Sequence, residues 1–137
     1  MAKINFEINN LTNFKIDKKF LTKIAEKTLL SVKLKIPELS IVLACDARMR
    51  GLNKKYKNKD RITDVLAFDY GEIVICLPQA KRQAKEIGNS LEKELGILLI
   101  HGILHLAGYN DQTKQQRERM TKRQDNIFLE IWQKTTL

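Results

Sequence analysis

Residues 91–111 read LEKELGILLIHGILHLAGYND, and they set both the architecture and the chemistry of the chain. Leu91, Leu95, Leu98, Leu99, Ile103 and Leu106 cover a wide arc of a helix. A helix apolar over so much of its circumference runs through a core rather than along a surface. Asn89 with Glu92 forms a capping box at its start. His101 and His105, the only 2 histidines of the protein, fall one turn apart on one face. Two imidazoles so placed reach a single cation. Gly108 can end the helix in a left-handed conformation, and the chain then folds back to bring Asp111 to the same point. His101, His105 and Asp111 make three protein ligands with one position left open, the arrangement of a catalytic zinc site. The expected cofactor is one Zn²⁺ per chain, and the donor set also suits other divalent metals.

Two histidines four apart on an apolar helix are also common as ordinary partly buried residues. The glycine turn followed by a carboxylate favours the metal. Position 102 bears on which chemistry that metal serves. A zinc peptidase of the His-Glu-x-x-His kind needs its general base there, and the residue is Gly102.

Outward from this stretch, the charge is the next feature. The chain of 137 residues carries a formal net charge of +9, which favours a polyanionic partner, nucleic acid before membrane. Arg48, Arg50, Lys54, Lys55, Lys57, Lys59 and Arg61 lie close together, with Asp60 as the acid among them. Such a run is usually a solvated helix face. As a functional surface it would hold nucleic-acid phosphates through Lys54, Lys55, Lys57 and Arg61 in salt-sensitive contacts.

HGILHLAGY, 101–109, resembles the signature of the YbeY family, bacterial metal-dependent endoribonucleases of ribosomal RNA maturation, whose pattern is H-G-x-L-H-L-x-G-Y-D-H. The family's third histidine falls at Asp111, a hard oxygen ligand and a competent one for zinc. LNKKYKNKDRITDVLAF, 52–68, is similar to the second signature of that family, approximately L-N-x-x-Y-R-x-K-D-x-P-T-D-V-L-S-F. Leu52, Asn53, Tyr56, Lys59, Asp60, Thr63, Asp64, Val65, Leu66 and Phe68 match it. Lys57 stands for the arginine that the family uses in activity, Ile62 for proline and Ala67 for serine. By this resemblance Lys57 is the catalytic phosphate contact, though lysine lacks the planar fork of arginine. Gln124 stands where the pattern ends in glutamate.

The rest of the chain reads as one α+β domain over residues 1–137: a four-stranded mixed sheet packed by helices, with the histidine helix central. Ile4, Phe6 and Ile8 alternate as a half-buried strand, and Asp17 to about Val32 repeats at helical spacing. LSIVLAC, 39–45, reads as a buried strand, and Asp46 as the N-cap of a helix through Met49, Leu52 and Tyr56. TDVLAFDY and EIVICL, separated by Gly71, form a tight hairpin. Pro78 opens a helix with Ala80, Ala84 and Ile87 inward, ended by Gly88. A last helix follows Asp111, amphipathic through Ile127, Phe128, Ile131 and Trp132. Cys45 and Cys76 lie in apolar runs and read as buried free thiols, with no disulfide partner. The first residues carry no signal peptide, and no run approaches ~18 apolar residues, so a cytoplasmic location without membrane contact is expected.

The resemblance implies a single-strand-specific metal-dependent endoribonuclease acting in 16S rRNA 3′-end maturation and ribosome quality control. Ribosomal RNA, the small ribosomal subunit and ribosome-associated proteins are the implied partners. Two other readings fit parts of the pattern: a metzincin-like hydrolase or peptidase, and a non-catalytic ribosome-associated RNA-binding module with a structural metal.

Overall fold

The computed structural model describes residues 4–136, with side chains through Trp132. Residues 1–3 and 137, counted in the expected domain, lie outside the described residues. The elements are β1 (Asn5–Asn10), α1 (Lys18–Val32), β2 (Glu38–Ala44), α2 (Asp46–Lys57), β3 (Val65–Phe68), β4 (Glu72–Cys76), α3 (Leu77–Ile87), α4 (Leu91–Leu106) and α5 (Lys114–Thr136). The sheet order is β1-β2-β4-β3. β1 pairs with β2 and β2 with β4 in parallel, while β3 runs antiparallel to β4. This is the expected four-stranded mixed sheet of an α+β fold.

Strand alternation assigns the two faces. Leu39, Ile41 and Leu43 of β2 share a buried face with Ile73 and Ile75 of β4, and the register places Ile41 opposite Ile73. Against this face pack α1, α3, α4 and α5, through Leu21, Ile24, Leu77, Ala80, Leu99, Ile103, Ile127 and Phe128. The opposite face presents Ala44, Leu66, Val74 and Cys76 to Met49 of α2. α2 is therefore on its own side of the sheet.

α4 is the most enclosed helix, as its all-round apolar sequence requires: Leu95, Leu98, Leu99, Ile100, Ile103 and Leu104 are each buried. Each such side chain stabilises the fold by about 1.5–3 kcal/mol relative to exposure. Gly102 is buried with them, and a Cβ there would lie 2.9 Å from Ile73 Cγ2. The helix approaches β4 at this point more closely than a side chain would allow.

Local signals held in most places and shifted in some. Asp17 caps α1 by accepting from the Phe20 N–H at 3.2 Å, and Gly88 ends α3 at φ 74°. The hairpin closes over a three-residue turn in which Gly71, at φ 95°, would push a Cβ to 2.8 Å from the Glu38 carbonyl. The cap of α4, however, is Ser90, whose hydroxyl accepts from the Lys93 N–H at 3.1 Å. Asn89 is occupied in closing α3, donating its backbone N–H to the Ala84 carbonyl at 2.8 Å, so the Asn89–Glu92 box does not form. Asp46 is the first residue of α2, after the N-cap Cys45, because its carboxylate turns away to Arg82. Ile87, the last residue of α3, is 63% exposed rather than inward, while Ala80 and Ala84 are buried as expected. Of the two free thiols, Cys76 is buried, but Cys45 is exposed because it follows the last residue of β2.

Candidate metal centre beside a cationic helix end

The site begins where α4 runs out of core. His101 and His105 occupy its last turns, partly buried, and their Nε2 atoms face each other at 3.1 Å. Beyond them the helix closes with two backbone bonds, Gly108 N–H to the His105 carbonyl and Tyr109 N–H to the Leu104 carbonyl, both 3.0 Å. Gly108 takes φ 98°, the left-handed turn that its sequence position suggested. The connection to α5 is held from its far side as well. Thr113 Oγ1 accepts from the Gln116 N–H at 3.0 Å, and Gln116 Oε1 accepts from the Thr113 and Gln112 N–H groups at 3.1 Å. This reciprocal capping box starts α5. Arg117 then donates to the carbonyls of Asp111 and Gln112 at 3.3 and 3.1 Å. Asp111 is thereby fixed between two well-terminated helices, with Oδ2 at 3.5 Å from His105 Nε2.

Ligand atoms of His101, His105 and Asp111 all lie within 4.8 Å of one another. Around a tetrahedral zinc with bonds near 2.0–2.2 Å, ligand atoms are about 3.3–3.6 Å apart. The separations of 3.1 and 3.5 Å about His105 meet that edge length closely. The widest pair, at most 4.8 Å, needs an inward movement of about 1.2 Å. The Asp111 side chain, 49% exposed, has the room to make it. The three residues can hold a metal ion, and their donor chemistry fits a divalent one.

The hydrogen bonding of His101 and the surroundings of His105 support this fit. Gln124, on α5, sets its Oε1 2.8 Å from His101 Nδ1. An amide oxygen there accepts from Nδ1–H and leaves Nε2 with its lone pair toward Asp111 and His105. Burial holds the His105 imidazole below its ordinary pKa of 6.5, and His101 pushes the same way. Asp111 and a hydrogen bond to the Tyr109 backbone oppose this, while Lys57 adds to it. The neutral ring, the form that binds a metal, is the one the surroundings favour.

Lys57 therefore stands near enough to His105 to act on its charge, although the two come from opposite sides of the sheet. It is exposed at the last turn of α2, with Lys54 and Lys55 beside it. Asn58 ends that helix in a left-handed conformation, and buried Asn53 donates to the Arg61 carbonyl at 2.9 Å. Asn53 thus straps the exposed loop carrying Lys59 and Arg61 to the helix. Arg50 is spent on Asp60 at 2.8 Å. Two features escaped the sequence reading. Gln124 stood out only as a departure from a pattern, and nothing local ties it to a histidine 23 residues away. The Asp64–Gln83–Glu94 network was also unseen, in which the Gln83 amide donates to both carboxylates at 3.3 and 3.1 Å and ties β3 to the start of α4.

Gly102 gives the peptidase comparison a structural answer. The residue after the first histidine points at β4, where a Cβ would meet three atoms of Ile73 within 3.3 Å. A glutamate there would drive a carboxylate into the sheet, so this helix cannot carry a peptidase base at that position.

Comparison with known proteins identifies the family. The family model described as Endoribonuclease YbeY matches residues 4–132. The Endoribonuclease YbeY of Sulfurihydrogenibium sp. (strain YO3AOP1) is 43% identical over 125 residues, covering 82% of this chain and 82% of that one. That of Aquifex aeolicus (strain VF5) is 38% identical over 125 residues, covering 84% and 83%. The solution structure of TM1509 from Thermotoga maritima superposes with a TM-score of 0.67 at 32% identity, covering 94% of this chain and 90% of that one. With a family match across nearly its whole length, the chain belongs to the YbeY endoribonuclease family.

Proposed function

We propose that this protein, one domain over residues 1–137, is a zinc-dependent endoribonuclease that cuts single-stranded RNA. Its proposed substrate is the 3′ end of precursor 16S rRNA, and the cleavage also serves ribosome quality control on the small subunit. The observation that carries this reading is the gathering of His101, His105 and Asp111 beside a lysine-rich helix end. Family membership supports RNA as the substrate. No helix among the described residues is long and apolar enough to cross a membrane, which accords with action in the cytoplasm.

His101, His105 and Asp111 would hold the ion. A zinc ion so held supplies Lewis acidity, which acidifies water and offsets charge on phosphoryl oxygens. The remaining work falls to the chain's own groups. Gln124 keeps the His101 proton on Nδ1. Burial keeps His105 neutral. Lys57 binds the scissile phosphate, and Lys54, Lys55 and Arg61 hold the flanking backbone. Either water attacks phosphorus and expels one ribose oxygen, leaving a phosphomonoester and a free hydroxyl, or the adjacent ribose 2′-hydroxyl attacks and expels the 5′-oxygen of the next nucleotide, leaving a 2′,3′-cyclic phosphate. The chemical ends of the product distinguish them.

The test is cleavage of a defined precursor-rRNA fragment by pure protein, with a His105→Ala variant purified in parallel. Cleavage should require divalent metal and vanish in the variant, while the variant stays folded and still binds the RNA. Cleavage that survives both chelation and His105→Ala would show that the nuclease lies elsewhere.

A further inference from the structure

Next to the cationic end of α2 lies an exposed row of aromatic rings that the proposed mechanism does not use. Phe68, the last residue of β3, is anchored in the small core under α2. The Tyr56 ring meets it edge-on, with centroids 5.1 Å apart at 72°. Tyr70 stacks on Phe68 at 5.6 Å and 18°. Despite these contacts Tyr56 remains 51% exposed and Tyr70 72%. The Tyr70 hydroxyl also donates to Glu72 Oε1 at 3.2 Å, while the ring rests on Phe68. Lys55 Nζ lies 5.2 Å from the centroid of the Tyr56 ring. Rings that merely sealed the sheet would turn inward, whereas Tyr70 keeps one face on Phe68 and leaves the other to solvent.

Resting on the RNA-cleaving reading above, we propose that Tyr56, Phe68 and Tyr70 form a stacking platform for unpaired bases of the RNA strand beside the cut. Their phosphates are held by Lys54, Lys55 and Lys57. Aromatic faces interleaved with cations are the chemistry that binds single strands without sequence preference, because every base offers a π face. The row has a direction. Its Tyr56 end adjoins the lysines and its Tyr70 end adjoins Asp69 and Glu72, so backbone belongs at the first and a base at the second. A second copy of the chain is a poor occupant, since it would set the same lysines opposite one another on a protein of net charge +9. A base-paired duplex, whose bases are already stacked, gains nothing from the platform. The row therefore selects single strands.

The experiment measures binding of a single-stranded decaribonucleotide carrying 2-aminopurine, and of an RNA hairpin stem, over a range of salt. Tyr70→Ala should weaken single-strand binding at least about five-fold and abolish stacking-dependent quenching, without changing the salt slope. Tyr70→Phe should preserve both, and stem binding should be unaffected by either variant. Lys55→Ala should lower the salt slope. Unchanged affinity and quenching in Tyr70→Ala, with wild-type protein still binding RNA, would overturn the platform alone. Wild-type protein that binds no RNA would overturn the nuclease reading with it. A wild-type dimer that Tyr70→Ala converts to monomer in sedimentation would make the row an interface between copies and refute the proposal.

Discussion

Replacing Gly102 by alanine puts the reading of the α4–β4 contact to a quantitative test. The added Cβ would lie 2.9 Å from Ile73 Cγ2, 3.1 Å from Cδ1 and 3.3 Å from Cγ1. Ile73 is fully buried in the centre of the sheet, so its side chain has no solvent to retreat into. Overpacking of this kind costs about 1–3 kcal/mol. Against it stands the gain of replacing glycine by alanine inside a helix, about 1 kcal/mol. The net expectation is a loss of up to about 2 kcal/mol. A double-mutant cycle separates the two contributions. In an Ile73→Ala background the colliding atoms are gone, and Gly102→Ala should then stabilise by about 1 kcal/mol. The assay is denaturant unfolding followed by the fluorescence of Trp132, the single tryptophan, which packs against Phe20 and Phe128. A coupling between the two substitutions below about 0.5 kcal/mol would refute the close approach, and with it the structural reason for a glycine after His101.

Lys57→Ala should lower RNA cleavage on the order of 10²-fold, while Lys57→Arg should match or exceed the wild type because the bidentate phosphate contact returns. Equal activity for all three residues would remove Lys57 from the site. Gln124→Ala frees His101 Nδ1 and should weaken zinc binding about 10- to 100-fold in a chelator competition, with Gln124→Glu restoring it; no change would deny the amide its orienting role. Cys76, pushed up to about 12 chiefly by burial, contributes stability that is fully present below its ordinary 9.0 and lost as pH rises toward the folded value. Unfolding free energy should accordingly fall between pH 9 and 12, and less so in Cys76→Ala; at pH 8 a thiol reagent should label exposed Cys45 at once and Cys76 only after denaturation.

What could be read from the sequence was what lies close together along it. The periodicity of residues 91–106 and the spacing of His101, His105, Gly108 and Asp111 are local, and each leads directly to backbone geometry. The strand and helix order followed for the same reason. What depended on distant partners did not show. Asn89 and Ser90 are both good helix caps, and the choice fell to Ser90 because α3 needed the Asn89 N–H for its own end. Asp46 looked like a cap until Arg82, 36 residues on, drew its carboxylate away. Gly102 was visible as a missing glutamate, but the reason for it lies on β4. Cys45 and Cys76 sit in similar apolar runs, and only the strand ends decide that one is exposed.

The placement of the three candidate ligands lets a metal site and a stable core share one helix without depending on each other. The buried length of α4 runs from Glu94 to Leu104, and its apolar residues need no ion to be satisfied. His101 lies on the part-exposed side of that length, His105 just past its end and Asp111 beyond it, and among the described residues the ion-free structure leaves no buried side-chain polar atom without a hydrogen-bond partner. A structural zinc is placed otherwise: its binding energy is folding energy, because its ligands replace a core that is too small. The lysines are separate again, on a helix that packs against the other face of the sheet, and of them Lys57 adds only a minor electrostatic influence on His105. Loss of the ion should therefore remove chemistry, loss of the lysines should remove affinity, and neither should unfold the protein. Cooperative unfolding on chelation would place the metal in the core instead and favour a structural role for it.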